Sequence, residues 1–146
     1  MSYFFKKTNL LMLLILSMIS LLTVNLAIAE VAVIVHPSNT SDFDQSIIKK
    51  MFLGKQKSFS NGRTAIMLSV SNTDPVMTEF NQKVMDKSNS QIKAYWSKII
   101  FTGKGTPPQE MPSASEVISS VSTNPDSIGY IDAAAATDAV RVVATF

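Results

Sequence analysis

Five consecutive residues, Val31-Ala32-Val33-Ile34-Val35, carry no polar side chain and are rich in β-branched types. Side chains along a strand point alternately to opposite faces, so a strand with one face in water alternates polar and apolar. A run without that alternation must be covered on both sides. This is the condition of a strand inside a sheet held between two layers of helices, commonly a parallel one. No other stretch constrains the fold as strongly.

The rest of the chain supplies the covering layers. His36-Pro37-Ser38-Asn39-Thr40 has turn chemistry, Ser41 and Asp42 are suited to cap a helix, and Phe43, Ile47, Ile48, Met51 and Phe52 recur at helical spacing up to Gly54. Asn61-Gly62 signals a turn before a second apolar strand over Thr64–Val70. Asp74 caps and Pro75 opens the next helix, whose buried stripe is Val76, Phe80 and Val84, with Met77 beside it. A further helix is expected over Ser88–Ile100 with Ile92, Tyr95, Trp96 and Ile99 inward. A Gly/Pro-rich connection follows over Phe101–Pro112, then a short helix capped by Ser113 or Ser115. Ile128–Ile131 and Val140–Phe146 read as closing strands. Strands alternating with helices predict a three-layer α/β domain with a mixed, mainly parallel sheet.

The first 29 residues read as an address. Lys6 and Lys7 precede an uncharged apolar run, Leu10–Val24, and Ala27-Ile28-Ala29 offers small residues at both positions a signal peptidase must accommodate. The run stops at Asn25, short of the roughly 20 apolar residues a membrane span needs. Cleavage is expected between Ala29 and Glu30, and with no cysteine in the chain no lipid is attached there. The full chain carries 13 basic and 11 acidic residues, for a net charge of +2. Two of the basic residues, Lys6 and Lys7, sit in the leader, so the segment 30–146 is electrically neutral. The basic pull toward nucleic acid therefore disappears with the leader.

The absence of cysteine excludes disulfides, thiolate nucleophiles and cysteine-ligated metals, and the single histidine, His36, excludes a multi-histidine metal site. His36 has no G-x-S-x-G elbow or comparable nucleophile motif to work with. Asp42 and Asp44 lie at a helix start, where acids are favoured electrostatically. No glycine-rich phosphate loop is present. Neither an enzyme nor a resident cofactor is expected. Two strand-to-helix turns, Pro37–Ser41 and Ser69–Asp74, are crowded with hydroxyl and amide side chains. Each brings a helix N-terminus to the end of a strand, where anions are bound, although plain N-capping uses the same residue types.

Three segments resemble the second lobe of phosphate-type periplasmic substrate-binding proteins, the soluble receptors of ABC importers. Ile48-Lys49-Lys50-Met51-Phe52-Leu53-Gly54-Lys55 is similar to that family's I-F-L-G-K helix end. Ala65-Ile66-Met67-Leu68 with the following Ser/Asn/Thr turn resembles the strand leading into its phosphate loop. Asn124-Pro125-Asp126-Ser127-Ile128-Gly129-Tyr130-Ile131 resembles its P-G-A-I-G-Y-V segment. The resemblance implies a single periplasmic-binding-protein-like lobe over residues 30–146, located in the periplasm and taking phosphate or another small anion. Carried over residue by residue, the anion site would be Ser71, Asn72 and Thr73, joined by Ser38 and Thr40.

The chain departs from the family in two ways. Its length suits one lobe rather than two, and the Arg and glycines of the family's loop are replaced by Leu68-Ser69-Val70-Ser71-Asn72-Thr73-Asp74-Pro75. Asp74 adds a negative charge there, although a carboxylate can accept a proton from a protonated phosphate. An ABC transporter or another envelope protein is the expected partner, and a homodimer would restore a cleft between two copies. The alternative function is a periplasmic interaction module without a ligand site.

Overall fold

The computed structural model describes residues 28–146, so the leader expected over residues 1–29 lies almost wholly outside the described residues. Five strands form one sheet: β1 (Val31–Val35), β2 (Ile66–Ser69), β3 (Gln109–Glu110), β4 (Ser127–Asp132) and β5 (Arg141–Thr145). Four helices cover it: α1 (Gln45–Phe52), α2 (Pro75–Lys83), α3 (Asn89–Phe101) and α4 (Ala114–Thr123). A 3-10 turn, Ala133–Ala135, begins the crossover from β4 to β5. Among the described residues no helix is long and apolar enough to cross a membrane.

The sheet order is β3-β2-β4-β1-β5. β2 runs parallel to β3 and to β4, whereas β1 runs antiparallel to β4 and to β5. The sheet is mixed, as the sequence predicts, but the pairings divide evenly instead of being mainly parallel. The physical reason is that the all-apolar run at Val31–Val35 reports coverage on both faces, and coverage says nothing of strand direction. All five residues of β1 are buried.

Neighbouring residues of β4 show how the layers are assigned. Gly129 faces α4 so closely that a Cβ there would stand 2.6 Å from Val117 Cγ1. The next residue, Tyr130, points to the opposite face and stacks on Phe80 of α2, ring centroids 3.8 Å apart and planes 2° from parallel. Phe52 of α1 meets both rings edge-on, at 4.9 and 5.6 Å. Helices thus lie on both faces, giving three layers.

Local chemistry fixes the helix starts. Asp74 Oδ1 accepts the Val76 N–H at 2.9 Å, with Pro75 in the first turn. Ser88 and Gln91 form a reciprocal capping box that starts α3. The cap of α1 is Asp44, which accepts the Ile47 N–H at 2.7 Å, not Ser41 or Asp42. Ser41 is buried, and its N–H is turned back to Asn39 Oδ1. Beyond α1, Gly54 takes φ +70°, and a Cβ there would lie 3.0 Å from the indole of Trp96. β3 falls within the segment read as an irregular connection. Pro107-Pro108 disfavours helix and extends the backbone just before it.

Candidate functional site

The antiparallel placement of β1 decides which candidate residues meet. Val35, at the end of β1, pairs with Ile128 near the start of β4, and Ile66, at the start of β2, pairs with Ser127. The C-terminal ends of β1 and β2 therefore lie at opposite ends of the sheet. Ser38 and Thr40 follow β1, while Ser71, Asn72 and Thr73 follow β2. The structure brings the last three together and keeps the first two away from them. Ser38 instead serves its own turn: its N–H and its hydroxyl both reach His36 Nδ1, at 3.1 and 2.7 Å. Thr40 is exposed.

At the end of β2 the hydroxyls of Ser71 and Thr73 lie 3.0 Å apart. Thr73 N–H donates to Ser71 Oγ at 3.4 Å, and Asp74 N–H donates to the Ser71 carbonyl at 2.9 Å. Asn72 N–H donates to Glu110 Oε1 at 3.1 Å, across from β3. Pro75 has no N–H, Val76 N–H belongs to Asp74 Oδ1, and Met77 N–H is held by the Asp74 carbonyl. The donors that an oxyanion would seek here are thus met internally, two of them by carboxylates, Asn72 N–H by Glu110 and Val76 N–H by Asp74. A ligand anion here must take the Asn72 N–H from Glu110, or arrive with a proton that Asp74 or Glu110 can accept.

A cavity of about 290 Å³ opens beside this turn. Phe52, Phe80, Met77, Met85, Trp96 and Tyr130 form its apolar wall, and Ser69 and Glu110 are among its polar groups. Burial drives the Tyr130 phenol well above its ordinary range, and the negative charges of Asp74 and Glu110 add to the effect. The phenol therefore stays protonated at neutral pH and is available only as a hydroxyl. Among the described residues no group of three or more His, Asp and Glu is placed to hold a metal ion.

The turn is evident in the residues, but two others that matter beside it are not. Glu110 lies in a segment without periodicity, and only the strand-forming effect of Pro107-Pro108 hinted that it would line up beside β2. Trp96 was expected to face inward, yet nothing in its spacing shows that it would line two cavities at once.

These features define an α/β lobe with a hydroxyl-rich turn at the carboxyl end of a parallel strand. Neither the scan against protein-family models nor the search of curated proteins found a match. Solved structures do match, and they are substrate-binding receptors. An ABC-type phosphate transport receptor from Vibrio cholerae aligns over 80% of this chain with TM-score 0.61 and 12% identity. A putative phosphate ABC transporter substrate-binding protein with bound phosphate, from Clostridium perfringens, aligns over 80% with TM-score 0.60 and 19% identity. PstS from Borrelia burgdorferi aligns over 70% with TM-score 0.51 and 16% identity. The alignments cover 46%, 45% and 41% of those chains, so this chain spans less than half the length of the receptors it matches. At these identities the likeness establishes the fold, in agreement with the resemblance read from the sequence.

Proposed function

We propose that the chain is an exported solute-binding domain, one lobe of the phosphate-receptor type, that takes a small anion such as phosphate at Ser71, Asn72 and Thr73. Export is through the leader, with cleavage after Ala29, and the site of action is the periplasm. The expected partner is an ABC importer or another envelope protein, and the role is binding rather than catalysis.

The observation that carries this is the Ser71–Thr73 turn itself. It gathers two hydroxyls and an amide at the end of a parallel strand, within a fold shared with receptors of which one, from Clostridium perfringens, holds bound phosphate. The adjacent carboxylates of Asp74 and Glu110 set the selectivity. They repel a fully ionised oxyanion and favour one that keeps a proton to donate, so phosphate is preferred over sulfate.

Calorimetric titration tests this. Phosphate should give saturable heat, sulfate much less, and binding should strengthen as pH falls and phosphate takes up its second proton. Ser71→Ala with Thr73→Ala should abolish the signal. No heat from phosphate up to tens of millimolar, with the chain folded, would overturn the proposal.

A further inference from the structure

A second cavity, about 500 Å³, lies on the other side of Trp96 from the one described above. Its walls come from the α1–β2 connection, the first half of β2, the later turns of α3 and the loop after α3. Three lysines line it, Lys55, Lys57 and Lys104, and no acidic side chain does. Three cations outside the groove are paired, Lys49 with Asp86 at 2.6 Å, Arg63 with Asp126 at 2.5 Å and Lys83 with Glu79 at 3.4 Å. Among the described residues the three groove lysines have no ion-pair partner.

The floor is apolar and held in place. Trp96 is 7% exposed, and Ile99 and Tyr95 extend its surface. Tyr95 is anchored by its hydroxyl, which donates to the Leu53 carbonyl at 2.6 Å. The left-handed Gly54 lets the chain carrying Lys55 and Lys57 pass directly against the indole. An apolar floor edged by charged side chains is a common make-up of a small-molecule site, and 500 Å³ is within the usual size range.

We propose that this groove is a binding site, separate from the Ser71–Thr73 turn, for an anionic small molecule with an apolar body, of the class represented by medium-chain carboxylates. The aliphatic part lies on Trp96 and Ile99. The anionic head is held among Lys55, Lys57 and Lys104, whose mutual repulsion it relieves. The concavity favours a small molecule over an extended partner surface.

Trp96 is the single tryptophan of the chain, so its emission reports binding in either cavity it lines, and the lysine variant below separates the two. The probes are octanoate, 1-octanol and octylammonium, titrated into the whole chain at low ionic strength. Octanoate should shift the emission saturably, bind about tenfold tighter than octanol and weaken with salt. The triple variant Lys55→Gln, Lys57→Gln, Lys104→Gln alters only exposed side chains. It should keep the parent circular dichroism, lose about tenfold in octanoate affinity and leave octanol binding unchanged. Ser71→Ala with Thr73→Ala should leave octanoate binding unchanged, so this proposal and the phosphate proposal fail separately. Equal binding of the three probes, or undiminished octanoate affinity in the triple variant, would overturn it. So would a preference for octylammonium, which would place the ligand in the cavity beside Glu110.

Discussion

Two cavities share one wall at Trp96 and differ in almost everything else. The smaller, about 290 Å³, is lined by phenyl rings and methionines and has Glu110 among its polar groups, beside the turn at the end of β2. The larger, about 500 Å³, is lined by three lysines without a carboxylate. The turn with the hydroxyls and the helix start therefore has negative neighbours, while the positive charge is gathered on the other side of the indole. In a chain whose segment 30–146 is neutral, the separation of charge within the fold says more about ligands than the net value does.

The largest effect should come from the aromatic stack that closes the acidic side. Phe80 is 2% exposed and touches both Phe52 and Tyr130. Phe80→Ala should cost about 3–5 kcal/mol in chemical denaturation and disorder the smaller cavity first. A loss below 1 kcal/mol would mean that this cavity is already loosely packed. Next is Gly129→Ala on the opposite face, where the new Cβ meets Val117 Cγ1 at 2.6 Å. A cost of about 1–3 kcal/mol is expected, with phosphate and octanoate affinities both preserved, because α4 lines neither cavity.

Glu110→Gln sharpens the charge contrast without removing an acceptor for the Asn72 N–H. Phosphate should bind a few-fold tighter at alkaline pH, and its advantage over sulfate should shrink. Unchanged selectivity would show that Glu110 does not face the ligand.

Tyr130 of the smaller cavity and the surface pair Arg63–Asp126 differ in response to pH. Tyr130 has a folded pKa above its unfolded value. Its contribution is fully present below about pH 10 and is lost as pH rises toward the folded value. Tyr130→Phe should flatten that alkaline decline in a pH series of denaturation midpoints. Asp126, just ahead of β4, is held below the usual carboxylate range by its hydrogen bond from Arg63. Its contribution is present above the ordinary carboxyl pKa and fades as pH falls through the lowered one. The pair is exposed, so Asp126→Asn should shift the acid limb only slightly.

Much of this was legible in the residues. Asp74-Pro75 starts its helix where the sequence says it should, and Ser88 and Ser113 prove to be the caps where the sequence also leaves Ser90 and Ser115 open. Val31–Val35 announces a strand with both faces covered, because burial alone sets that composition. What escaped is what no local pattern encodes. The direction of β1 against β4 is fixed by how the layers close, and it separates Ser38 and Thr40 from the turn at Ser71–Thr73. Glu110 reaches Asn72 only because a two-residue strand aligns beside β2. The three lysines share a groove because α1, β2 and α3 meet there, with 46 residues of chain between Lys57 and Lys104.

The most direct test of the central claim is a crystal structure of the chain grown with phosphate. Phosphate should lie within hydrogen-bonding distance of Ser71 Oγ, Thr73 Oγ1 and the Asn72 N–H, with the Glu110 carboxylate turned off that N–H or accepting a phosphate proton. Phosphate seated only among Lys55, Lys57 and Lys104, with Glu110 still on Asn72, would contradict it.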